Sequence, residues 1–209
     1  MSIPHRLKSV MFGLALAGLL GTSSAQAGEI ALNFDNTTGQ QLGNPAFTLG
    51  WSFTVVDTIN LVGLGVFDDS QDGLADSHEV GLWDSGGNLL VSTTVASGTS
   101  SSLTDKFRFE SVTTTTLLAG QTYYIGGLWL TGNDNILFPG DAINQVTIAE
   151  ILFGQSQFAG GGTLAFPGSS IGGNGYYGPN FLVPEPTTML LFGVGAASLA
   201  IRRRRAVRS

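Results

Sequence analysis

Between Phe67 and Val80 the chain sets Asp68, Ser70, Asp72, Asp76 and Glu79 at positions 1, 3, 5, 9 and 12 of a twelve-residue window, with Gly73 at position 6 and the Leu74 carbonyl at position 7. This is the spacing with which a loop wraps a calcium ion. A hard cation takes six to eight oxygens, the glycine supplies the sharp turn, and the last glutamate closes the shell with both oxygens. Two features oppose that reading: the flanks, Phe67 and Val80 to Trp83, read as strands, and serine is a weaker ligand than aspartate. The competing reading is a solvated acidic hairpin in which Asp and Gly simply make turns. In the calcium reading the ion is structural, ordering a loop whose carboxylates repel one another.

Other residues with chemical potential are few. His78 is the only histidine beyond His5, and no H-E-x-x-H pair accompanies it, so it is expected at a loop or strand edge rather than in a catalytic triad. Asp68 and Asp69 are adjacent in one loop, which gives no sign of the two carboxyls that glycoside hydrolysis holds apart across a cleft. The expectation is a non-enzyme with no certain cofactor and Ca2+ as the candidate ion. Tyr176 and Tyr177, in a glycine-rich stretch, are candidate glycan contacts through ring stacking, whereas Trp83 and Trp129 lie in apolar strands and are expected in the core. The chain has no cysteine, so neither disulfides nor thiolate chemistry contribute.

The elements that position these residues read as β-strands. Trp51, Phe53 and Val55 alternate with Ser52 and Thr54; Val62, Leu64 and Val66 alternate with glycines; Phe107 and Phe109 flank Arg108. Further strands are expected at 29–34, 79–84, 88–95 and 121–130, separated by turn clusters such as Ser85-Gly86-Gly87. Short strands at this spacing, without amphipathic helices between them, predict an all-β antiparallel sandwich, jelly-roll or immunoglobulin-like. The sandwich is expected over 28–153. The segment 154–183, with Gly160-Gly161-Gly162 and Gly172-Gly173, is expected to be a long loop or linker.

Both termini read as addresses. His5, Arg6 and Lys8 precede an apolar run from Val10 to Leu20, and Ala25-Gln26-Ala27 before Gly28 is an A-x-A cleavage pattern, so 1–27 is expected to be a secretory signal helix used by the Sec machinery. At the other end, 184–209, Pro184, Glu185 and Pro186 lead into the uncharged stretch 187–201, then Arg202, Arg203, Arg204 and Arg205. Proline keeps the approach extended and can open the helix that follows. Fifteen residues at about 1.5 Å each make roughly 22 Å, short of the ~30 Å hydrocarbon core, so this is a marginal transmembrane helix whose arginines stay on the cytoplasmic side. The tail VPEPTTMLLFGVGAASLAIRRRR resembles the PEP-CTERM sorting signal of Gram-negative bacteria. The resemblance implies an exosortase-type membrane protease as partner, a precursor anchored in the inner membrane, and release to the cell surface or outside.

With both ends removed, 28–183 keeps only Lys106 and Arg108 against fourteen carboxylates, a net charge of −12. Nucleic acid is excluded as a partner, because phosphate contacts need clustered Lys and Arg. Within the acidic domain, GWSFTV, LGVFDDSQDGLADSHEVGLWDSGGNLL and LLAGQTYYIGG resemble a bacterial β-sandwich domain of unknown function that accompanies such tails. That resemblance implies fold and compartment but no catalytic residues. The expected function is an exported, non-enzymatic protein of the cell surface or the exopolysaccharide matrix of a biofilm. The alternative is a carbohydrate-binding module, calcium-stabilised if the loop binds.

Overall fold

A computed structural model describes residues 28–35, 39–43, 46–138, 144–172 and 175–185. The predicted signal helix, Pro186 and the predicted C-terminal helix with its arginines lie outside those residues. Among the described residues no helix is long and apolar enough to cross a membrane.

Among the described residues thirteen strands follow in chain order: β1 (Gly28–Ile30), β2 (Leu32–Asn33), β3 (Phe47–Val55), β4 (Ile59–Phe67), β5 (His78–Asp84), β6 (Leu89–Val95), β7 (Ser102–Thr104), β8 (Phe107–Leu117), β9 (Thr122–Trp129), β10 (Val146–Thr147), β11 (Ile151–Gly160), β12 (Ser169–Ser170) and β13 (Pro179–Pro184). They form a sheet in the order β1-β13-β4-β8-β7, a second in the order β12-β11-β3-β9-β5-β6, and a small β10-β2 pair. Every ladder is antiparallel. The expected all-β antiparallel sandwich is therefore what the chain forms.

Period-two alternation buries Trp51, Phe53 and Val55 on β3, and the two aromatic rings meet Phe181 of the facing sheet. The Trp51 ring lies 6.0 Å from Phe181 and 5.9 Å from Phe153, and its Nε1 donates to the Pro179 carbonyl at 2.9 Å. One indole thus ties the two sheets together. Phe34, Phe67 and Phe107 form a second knot, edge to face at 5.6, 5.6 and 5.9 Å. Ring pairs in such geometry add about 0.5–1.5 kcal/mol each beyond the area they bury. At the centre of the second sheet Gly50 is irreplaceable, since a Cβ there would stand 1.9 Å from the Ile125 carbonyl oxygen.

On β4 the structure alters one detail of the expected pattern. The β4–β8 register shifts between Leu61 and Gly63, where β4 advances two residues and β8 four; Ile59, Leu61, Leu64 and Val66 are buried while Val62 is only half-buried.

The expected linker over 154–183 is corrected outright. Residues 151–160 are β11, paired with β3 on both sides of a register shift between Phe153 and Ser156, and 179–184 are β13, held between β1 and β4. Within the connection between them Phe166 packs back on the second sheet, edge-on to Tyr124 at 4.9 Å and to Trp83 at 6.4 Å. Glycines there serve turns and close approaches within the sandwich, as at Gly178, where a Cβ would collide with the Trp129 ring at 2.1 Å. The folded domain runs to Pro184.

Candidate functional site

The acidic loop leaves β4 at Asp68, whose carboxylate is wholly buried. Arg108 of β8 donates to it from Nε at 2.6 Å, and the Gly73 amide donates at 3.2 Å. The same guanidinium reaches the Ser101 carbonyl at 3.2 Å and the Gln71 carbonyl at 3.4 Å, fastening the loop to the sheet. Asp69 accepts from the Gly39 amide at 3.2 Å and from Asn135 Nδ2 at 2.5 Å. Ser70 and Gln71 take left-handed conformations (φ 66° and 62°), which fold the chain back on itself.

The remaining predicted ligands go elsewhere. The Leu74 carbonyl accepts from the Gly98 amide at 2.7 Å. Asp76 accepts from Asn133 Nδ2 at 3.0 Å and from the Thr131 hydroxyl. Asp72 is exposed, and Glu79 lies on the exposed face of β5, where its backbone pairs with Thr94. Among the described residues no group of three or more His, Asp or Glu side chains is placed to hold a metal ion. Calcium spacing therefore occurs without calcium geometry. In the helix-flanked loop the final glutamate turns back toward the first aspartate, whereas here it enters a strand and points out of the sheet.

His78 opens β5 but is buried rather than at an exposed edge. Its Nδ1 lies 2.9 Å from the Leu128 carbonyl and its Nε2 2.9 Å from Asp134 Oδ2, with the ring 4.8 Å from that of Trp129. Both neighbours are acceptors, so both contacts are hydrogen bonds only when each ring nitrogen carries a proton. Asp134 also accepts from the Ala75 and Asp76 amides at 2.7 and 2.8 Å. Burial opposes its charge, yet the hydrogen bonds from His78 and the two amides outweigh that penalty and hold its carboxyl below the ordinary aspartate value. Sequence reasoning passed over Asp134 and the Asp68–Arg108 pair. One signal was present: a lone arginine between two strand phenylalanines in a domain of fourteen acids has to find a carboxylate.

Lys106 is buried too. Its Nζ donates to Asn33 Oδ1 at 2.7 Å, the Phe34 carbonyl at 2.5 Å and Asp105 Oδ2 at 2.9 Å, beneath the Phe34 ring. Both cations of 28–183 are thus consumed inside, with side chains 7% and 5% exposed. The charge presented to solvent by the described residues is anionic.

The two tyrosines part company. Tyr177 is fully buried against Phe34 and Phe153, and its hydroxyl donates to Gln145; burial pushes its phenol well above the ordinary value. It is a core residue and presents no ring to a glycan. Tyr176 is half-buried and lines a cavity of about 370 Å³ with Phe47, Leu49, Phe138 and Phe158.

At the opposite end of the first sheet, β13 pairs with β1 in the register Gly28↔Pro184, Glu29↔Val183 and Ile30↔Leu182. The predicted signal-cleavage residues Ala25 and Ala27 lie outside the described residues, but Gly28 is the first residue of β1. Glu185 follows as an exposed residue.

The last strand of the sandwich, β13, runs directly into Glu185 and the tail. In agreement, residues 182–205 match the PEP-CTERM protein-sorting motif. The chain is therefore an exported protein sorted through an exosortase, by way of a membrane-anchored precursor. No curated protein and no solved structure matches the chain.

Proposed function

We propose that the sandwich is a non-enzymatic protein of the cell surface or of the exopolysaccharide matrix, exported through Sec and released by processing of its tail. The observation that carries this reading is the match of 182–205 to the sorting motif at the end of a domain whose one histidine, one lysine and one arginine are spent on its own structure. The one imidazole of 28–183 is locked between a carbonyl and a carboxylate, which supports a non-catalytic role. The strand order fits the jelly-roll form of the sandwich: β1-β13-β4-β8 faces β3-β9-β5-β6, with β11 added beside β3. Fractionation of cells expressing the full precursor tests the assignment. The processed chain is expected in the surface and matrix fractions; retention of all of it in the inner membrane would contradict the proposal.

One observation favours the carbohydrate-binding alternative. The cavity beside Tyr176 offers aromatic faces of the kind on which a sugar ring stacks. The anionic surface restricts such a ligand to a neutral or cationic glycan, since acidic polymers are repelled. Tyr176→Ala is expected to weaken retention of the processed chain on a neutral glycan column at least threefold. Unchanged retention would remove this reading and leave the matrix assignment standing.

A further inference from the structure

The sorting motif and the folded domain claim the same residues. The match begins at Leu182, and residues 182–184 are also the last three of β13. Leu182 is paired on both sides, with Ile30 of β1 and with Gly63 of β4. Beyond it the β4 ladder has ended, so Val183 and Pro184 pair with Glu29 and Gly28 alone.

The hydrogen bonding is consistent with this. Ala31 donates to the Phe181 carbonyl at 3.0 Å, and strict alternation along an antiparallel ladder then makes Glu29↔Val183 a hydrogen-bonded pair and Gly28↔Pro184 a non-bonded one. Proline, which has no N–H, sits where none is required. β1 itself is short and shallow: Gly28 and Ile30 are half-buried and Glu29 is exposed, whereas Ala31 and Leu32 just behind are buried. Such an edge strand can open while the rest of the sandwich stays closed.

From this we infer that β1 guards the processing site: pairing of residues 28–30 with 182–184 shields the start of the sorting motif, and tail processing proceeds through local opening of β1. The inference rests on the sorting reading above. A protease must draw its substrate into an extended conformation free of other strand partners, and a chain already paired in a sheet is unavailable until it opens. Where opening and closing are fast relative to cleavage, the rate follows the population of the open form. Cross-strand neighbours stand about 4.5–5.5 Å apart, so the predicted signal-cleavage point and the sorting motif are brought side by side. No spacer separates the sandwich from the motif, which leaves β1 as the element that sets exposure.

The test uses the full precursor in a host that carries an exosortase, with signal removal and tail removal followed as separate mass steps in a pulse-chase. Glu29→Pro deletes the donor opposite Val183 and is expected to speed tail removal at least fivefold. The chain has no cysteine, so Ile30→Cys with Leu182→Cys can form a single disulfide across a non-bonded pair, leaving Pro184 to Pro186 intact. The oxidised form is expected to be processed at least fivefold more slowly, and reductant should restore the rate. Val80→Ala, in the core of the other sheet, is expected to change the rate less than twofold. Equal rates for locked and unlocked chains would overturn the guard, as would Val80→Ala matching Glu29→Pro, because global unfolding would then be the gate. If no chain loses its tail, the sorting reading fails and the guard with it.

Discussion

The acidic loop and the sorting end occupy opposite ends of one sheet, about 17 Å apart along β13, and they treat polar groups in opposite ways. At the loop, Asp68, Asp69, Asp76 and Asp134 turn toward protein donors, and Arg108 and His78 are drawn in to meet them. At the sorting end a strand of three residues, little buried, is the strand partner of Val183 and Pro184. A cluster of carboxylates answered by protein donors is architecture. A thin edge beside a processing signal is where a partner can act.

The largest expected effect breaks the loop side of this contrast. Arg108→Met leaves Asp68 buried without its cation and is expected to cost about 3–5 kcal/mol in chemical denaturation. Adding Asp68→Leu should recover most of that loss, because removing both charges leaves no unpaired one. A loss under about 1 kcal/mol for the single variant would show that the pair is not the loop's anchor.

Acid titration sharpens the contrast next. Asp134 is held below the ordinary aspartate value in the folded chain, so its contribution is fully present above the unfolded value near 4 and is lost as pH falls through that value toward the lower folded one. Asp134→Asn is expected to flatten that limb of the stability profile. An unchanged acid limb would count against the His78–Asp134 contact.

The smallest effect belongs to Asp72. This exposed residue should tolerate alanine within about 0.5 kcal/mol, with melts that calcium and chelator leave unmoved. A calcium-dependent rise in melting temperature that disappears in Asp72→Ala would show instead that the loop closes around an ion.

Strands with regular alternation were legible in the chain: β3, β5, β6 and β9 fall where period two and turn residues place them. β11 was hidden for two physical reasons. A register shift between Phe153 and Ser156 breaks its period, and Ser156 and Gln157 are buried polar residues, so no apolar stripe marks the inner face. β13 was hidden by the glycines and prolines around it, although Phe181 and Val183 alternate inward. Arg108 reads as an outward residue between Phe107 and Phe109, yet all three are buried, because the loop after β4 folds over that face. At the loop the residue types were legible but their partners were not. Gly39, Asn135, Thr131 and Asn133 come from distant parts of the chain, and local spacing carries no trace of them.

Amide hydrogen exchange across residues 178–185 tests most directly the claim that the sandwich is folded flush against its sorting motif. Strong protection is expected at Phe181, intermediate protection at Val183, and fast exchange at Glu185, with the Val183 protection lost in Glu29→Pro. Uniformly fast exchange from Gly178 onward would contradict it, and would restore a free linker between domain and tail.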